Sequence, residues 1–114
     1  SGPLSVAIEG ATEVGAGGTI EVSILVTGTG TIEGGQVGLR YDPGRIEAAG
    51  ASAPGLLTVD IPPGQDASVA TATFTTRAGS IGTATIAPVS ATISRGGQDE
   101  SVMPSGTVTV QIQP

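Results

Sequence analysis

Hydrophobic and polar residues alternate in seven short runs along the chain, bounded by Gly, Pro or Asp, and this two-residue period predicts β-strands. No segment shows the 3.6-residue period of an amphipathic helix. The seven runs therefore predict an all-β fold, a two-sheet β-sandwich of jelly-roll or immunoglobulin-like type with about seven to nine strands. The residues expected to face the core are, run by run, Leu4, Val6, Ile8; Ile20, Val22, Ile24, Val26; Val37, Leu39, Tyr41; Leu57, Val59, Ile61; Ala70, Ala72, Phe74; Ala84, Ile86, Val89, Ala91, Ile93; and Val108, Val110, Ile112.

The sixth run changes phase at Pro88. Its inward residues occupy even positions before this proline and odd positions after it, beginning with Val89. Because proline has no N–H to donate, it is confined in sheets to bulges, strand starts and edges. We therefore predict a β-bulge or an edge position at Pro88, with Val89 facing the core.

A glycine-rich stretch at residues 28–31 follows the second run, and Gly34 lies shortly after it. A phosphate-binding loop of this kind requires a following helix whose N-terminus faces the phosphates. Here a strand pattern follows instead. We therefore predict that residues 28–31 form a flexible turn between two strands rather than a nucleotide site.

The composition limits the core and the number of domains. The chain has 114 residues with one Phe, one Tyr and no Trp, so the core must be built from aliphatic side chains. A chain of this length forms one domain. We expect a single domain over residues 4–113, and residues 1–3 have the character of an expression-tag remnant.

The charge excludes several classes of partner. The net charge is −6, and only four residues are basic, all of them Arg. Nucleic-acid binding requires a basic surface, and an acidic chain is not attracted to an anionic membrane. No stretch approaches the roughly 20 apolar residues that span a bilayer. We expect no nucleic-acid partner and no membrane insertion.

Catalytic signals are almost absent. Nucleophilic catalysis uses Ser or Cys beside a base that is usually His, and this chain contains no His, Cys or Lys. A pair of carboxylates could hydrolyse glycosides, but two aromatic residues cannot line a sugar cleft. The sequence therefore predicts a protein that is not an enzyme and uses no cofactor.

Asp99 and Glu100 are adjacent acids in a predicted loop over residues 95–100. Calcium takes six to eight oxygen ligands, so this pair falls short unless Asp60 or Asp66 converges on it. We predict a solvated loop and no metal site.

The segment Tyr41-Asp42-Pro43-Gly44 predicts a strand that ends in a turn, with Asp at the first turn position and Pro at the second. It resembles the cohesin family, in which a strand ends in Tyr-Asp-Pro, followed by two residues and an aliphatic residue. Other segments resemble cohesin strands in the family's order: residues 14–22, 70–74, 78–86 and 105–110.

The cohesin resemblance implies a nine-stranded jelly-roll sandwich in an extracellular or cell-surface protein. Family members bind dockerin modules in extracellular scaffolds, and related modules accompany bacterial surface enzymes and secretion-pore proteins. Typical cohesins have two strands of the dockerin-binding face between the Tyr-Asp-Pro turn and the strand of Phe74. Here residues 56–68 have room for one strand and a Pro-Pro-Gly turn. We expect the matching face to contain only the third and sixth runs, with an open edge beside the third.

The outward residues of those two runs are the predicted partner-binding site, for a protein partner of which a dockerin-like module is the family's example. An ordinary polar sheet face explains them equally well. Two other functions remain open: a structural spacer in a surface or secretion-system protein, and a carbohydrate-binding module, which the lack of aromatic platforms disfavours. The predicted partner-binding residues are Gln36, Gly38, Arg40, Thr83, Thr85, Ser90 and Thr92.

Overall fold

The computed structural model describes residues 3–114, so Ser1 and Gly2 of the predicted tag remnant lie outside the described residues. The described chain is all-β, which confirms the predicted fold class, and each of the seven runs lies within a strand, the second and third runs in the same one. The nine strands are β1 (Ser5–Gly10), β2 (Glu13–Gly15), β3 (Thr19–Tyr41), β4 (Ile46–Ala48), β5 (Leu56–Ile61), β6 (Gly64–Thr76), β7 (Gly82–Arg95), β8 (Gln98–Val102) and β9 (Val108–Gln113).

Strand β3 is 23 residues long and belongs to both sheets of the sandwich. Its first part, residues 19–27, lies between β1 and β6, and β4 continues that sheet beyond β6. Its last part, residues 35–40, lies between β5 and β7. Strands β8 and β9 pair with the edge of β7 that faces away from β3. Strand β2 pairs in parallel with β9. Among residues 3–114, β3 is therefore the strand that connects the two layers by continuous pairing.

The glycine-rich stretch at residues 28–31 is part of β3, so the prediction of a turn between two strands is wrong. The register of β3 against β6 shifts between Thr27 and Thr31. The Gly30 amide donates a hydrogen bond to Asp66 Oδ1 at 2.8 Å and holds β6 against the shifted segment. Irregularities of this kind bend a strand without ending it. The chain therefore changes sheets here inside one strand.

The residues predicted to face the core form one buried hydrophobic cluster, with few exceptions. Phe74 is fully buried, and its ring meets that of Tyr41 edge-on at a centroid distance of 5.2 Å. Leu4 and Val59 are only partly buried. Val89 is 42% exposed, so the prediction that it faces the core is wrong.

A β-bulge in β7 explains the position of Val89. Gly38 pairs with Ser90 whereas Leu39 pairs with Pro88, so Val89 is an extra residue opposite β3. This confirms the bulge predicted at Pro88. Because of this extra residue, the inward side chains of β7 change from even positions before the bulge to odd positions after it. The side chain of Val89 itself points outward. Pro88 lies in the gap between the stretches of β7 that pair with β9 and with β8.

Candidate partner-binding face

We define the candidate face as the outward surface of four strands: β5, residues 35–40 of β3, β7 and β8. Five of the seven predicted partner-binding residues meet at its centre. Gln36 pairs with Thr92 and Gly38 with Ser90 across β3 and β7, and Arg40 continues the same row along β3. All but the half-buried Gly38 are exposed. The two-residue period therefore places these five residues on one surface.

Thr83 and Thr85 lie farther along β7, beside β9 rather than beside residues 35–40 of β3. They pair with Gln111 and Thr109, and Gln111 Nε2 donates a hydrogen bond to Thr83 Oγ1 at 2.9 Å. Both threonines are exposed. They form an extension of the candidate face and not its centre.

The candidate face contains four strands, which corrects the prediction of a face of two strands with an open edge beside the third run. Strand β5 pairs with all of residues 35–40 on the edge that was expected to be open. The chain then turns at Pro62 and Pro63 and continues as β6 along the same edge of β3. Six residues in β5 are enough to cover this edge. Gln36 Nε2 also donates to Asp60 Oδ1 of β5 at 3.3 Å.

Strand β8 was not predicted, because residues 95–100 were interpreted as a loop. Only Gly96 and Gly97 form the turn, with φ of 62° and 78°, and Arg95 pairs directly with Gln98. A two-residue hairpin with a type I′ turn requires positive φ at both central residues, which glycine adopts without strain. A Gly-Gly pair after a predicted strand was the signal for this hairpin.

The acidic pair of β8 is held by neighbouring side chains. The Arg95 guanidinium donates to both carboxylate oxygens of Glu100, at 3.0 and 3.2 Å, and its side chain is only 11% exposed. The Ser94 hydroxyl donates to the carboxylate of Asp99. In residues 3–114, no three His, Cys, Asp or Glu side chains are grouped so that they could hold a metal ion.

Three apolar side chains are exposed on the candidate face, and one of them is next to Arg40. Leu56 pairs with Arg40 across β5 and β3 and is 38% exposed. Val89 lies over Gly38, and Met103, at 87% exposure, forms with Val89 part of an open groove between β7 and the end of β8. The sequence indicated none of these three, because exposure depends on the bulge and on the course of the chain after β8.

Arg40 differs from the other arginines in its pairing. Each of the other three forms an ion pair with a carboxylate, whereas Arg40 forms none within residues 3–114. Its guanidinium is therefore available to a carboxylate of another molecule.

The fold was compared with known structures. A type II cohesin domain from the cellulosome of Acetivibrio cellulolyticus superimposes with a TM-score of 0.68 over 94% of this chain and 94% of that one, at 13% identity. A type II cohesin from a cohesin–X–dockerin complex of the same organism gives 0.67 over 96% of this chain and all of that one, again at 13% identity. This chain has the cohesin fold.

The cohesin-like assignment rests on structure, because no family model matches the chain and no curated protein matches its sequence. A more distant likeness is to the CARDB domain of a Pyrococcus furiosus protein, solved in complex with two metal ions. Its TM-score is 0.54 at 17% identity, over 97% of this chain and 94% of that one. Within residues 3–114, no helix has the length and apolar character needed to cross a bilayer.

Proposed function

We propose that this cohesin-like chain is a non-catalytic module that binds a protein partner through the candidate face. The observation that carries the proposal is the presence on this face of the exposed apolar side chains Leu56, Val89 and Met103 together with Arg40, which pairs with Leu56 across the sheet and forms no ion pair within residues 3–114. Apolar side chains and arginine together are enriched at the centres of protein interfaces. A module that served only as a spacer would not require exposed apolar side chains and an arginine on this surface.

The chemistry of the face defines the partner. A carboxylate on the partner would pair with Arg40, because the guanidinium donates two parallel hydrogen bonds to such a group. Apolar side chains of the partner would cover Val89 and Met103. A dockerin-like module is the example to test first, since one of the similar cohesins was solved in complex with a dockerin.

The proposed location is extracellular or at the cell surface. It is supported by the cellulosomal origin of a similar cohesin. Carbohydrate is a poorer ligand for this face, because the only two aromatic residues, Tyr41 and Phe74, are both buried. Aromatic rings on the surface would be needed to stack against sugars.

Arg40→Glu should abolish partner capture and leave the fold intact. The side chain is exposed and forms no ion pair within residues 3–114, so we expect its reversal to change the stability by less than about 0.5 kcal/mol. The measurement is affinity capture from the secreted fraction of the source organism, with capture identified by mass spectrometry and repeated with a purified dockerin module.

Thr19→Glu is the control, since Thr19 is exposed on the first sheet and the change also adds a negative charge. The control should capture the same protein as the unmodified chain. Equal capture by Arg40→Glu would contradict the proposed face. If no protein is captured specifically by any version, the spacer function is favoured instead.

A further inference from the structure

Met103 carries the only sulfur atom of the chain, which has one Met and no Cys. The chain also has no Trp and no His, and its single Tyr is buried. Mild oxidants attack sulfur in side chains, and they do so most readily where the sulfur is accessible. Met103 is 87% exposed, so a peroxide meets one reactive and accessible atom in this molecule.

The position of Met103 is on the candidate face, directly after the end of β8. Ser101, two residues earlier, pairs with Thr92 of β7. The open groove that contains Met103 and Val89 is also lined by Ser90 and Thr92, two of the predicted partner-binding residues. The single oxidisable atom is therefore part of the surface proposed to bind the partner.

The backbone on both sides of Met103 is fixed. Val102 pairs with Ala91 of β7, and Ser105 forms two backbone hydrogen bonds with β1, at 2.9 and 3.0 Å. Between these two anchored residues lie Met103 and Pro104, and the ring of a proline fixes its φ. Met103 is therefore held at one place beside the groove, although its side chain is exposed.

The side chain of Met103 contributes nothing to the core. It belongs neither to the buried hydrophobic cluster nor to the partly buried residues that pack against this cluster. Oxidation of a buried methionine disrupts a core because it places a polar group there. At Met103 the new polar group would lie in solvent, so oxidation would change the surface and leave the stability as it is.

We propose that Met103 is a site of reversible oxidation that controls partner binding at the candidate face, an inference that rests on the proposed function. With hydrogen peroxide as the oxidant, the thioether sulfur donates an electron pair to one peroxide oxygen, an S–O bond forms and the O–O bond breaks. The proton of the transferred oxygen passes to the departing oxygen, which leaves as water. The sulfur is oxidised to the sulfoxide, and the peroxide is reduced.

Oxidation changes what the groove can bind. The thioether is apolar and adaptable, which suits the apolar side chains of a partner that covers Val89 and Met103. A sulfoxide is polar, and its oxygen loses its hydrogen bonds to water when an apolar group covers it. Burial of a methionine side chain is worth at least about a tenfold change in affinity, so we expect oxidation to weaken binding by about tenfold.

The test is oxidation of the purified chain before it meets its partner. The chain is treated with hydrogen peroxide, the peroxide is removed, and peptide mass spectrometry should locate one added oxygen atom on Met103. The affinity for the captured partner should then fall by about tenfold, with an unchanged melting temperature. The two methionine sulfoxide reductases, one for each epimer of the sulfoxide, should restore the affinity.

Met103→Leu is the matched control, because it keeps an apolar side chain of similar volume that has no sulfur. Whatever the affinity of this variant, it should be the same with and without peroxide treatment. Met103→Gln places an uncharged polar group at the same position. We expect it to bind about as weakly as the oxidised chain and not to respond to peroxide.

The outcomes separate this inference from the proposed function. Specific capture that stays unchanged after oxidation of Met103 would overturn the inference and leave the proposed binding face in place. A peroxide-dependent loss of affinity in Met103→Leu would also overturn it, as would a lower melting temperature of the oxidised chain. If the untreated chain captures no partner specifically, the proposed function and this inference are both overturned.

Discussion

Phe74→Ala is expected to lower the free energy of unfolding by about 3–5 kcal/mol, a large part of the stability of a domain this size. Phe74 is fully buried and is the only Phe in the chain. It pairs with Ile20 of β3, lies opposite Ala48 of β4, and packs edge-on against Tyr41 from the other sheet. Its removal therefore leaves a cavity between the two layers that aliphatic neighbours fill only in part.

Chemical denaturation followed by far-UV circular dichroism measures this loss. Thr73→Ala is the control, because Thr73 is the next residue on β6 and its side chain is exposed. We expect the control to cost less than about 1 kcal/mol, the span of strand propensities. An unchanged denaturation midpoint for Phe74→Ala would show that this ring lies outside the core.

Gly35→Ala should destabilise the chain by about 3 kcal/mol, the upper part of the range for overpacking. A Cβ atom at Gly35 would lie 2.4 Å from the backbone oxygen of Thr92 and 2.9 Å from Cδ1 of Ile93. A backbone oxygen in a paired strand cannot move aside alone. Strands β3 and β7 would separate at the centre of the candidate face, so we also expect partner binding to weaken.

Gly15→Ala provides the control for this substitution. A Cβ atom at Gly15 meets nothing within 4 Å, and this glycine does not have a positive φ. Its replacement should change the stability by no more than about 0.5 kcal/mol. Equal stability of the two variants would mean that β3 and β7 are not held together as closely as described.

The alternation of residues was enough to predict the strands and most of the core. Ile20, Val22, Ile24 and Val26 are all buried, as this period requires. The phase change at Pro88 also predicted the bulge. The orientation of Val89 could not be derived in this way, because the outward turn of the extra residue depends on its pairing with β3.

Strand pairing accounts for the features of the fold that the sequence pattern did not predict. Strand β4 has three residues and β8 is mostly polar, so neither has an alternating pattern, and each is formed by its neighbour across the sheet. The passage of β3 from one sheet to the other depends on β6 following it through the register shift. For the candidate face, the period identified Arg40. The exposed Leu56 and Met103 came only from the three-dimensional arrangement.

Hydrogen–deuterium exchange with and without the captured partner tests the proposed binding surface most directly. We predict slower exchange in β5, β8 and residues 87–92, because these backbone segments lie on the candidate face and part of each is unpaired in the free chain. Slower exchange confined to residues 19–27 of β3 and to β6, with β5 and β8 unchanged, would place the partner on the opposite sheet and contradict the account.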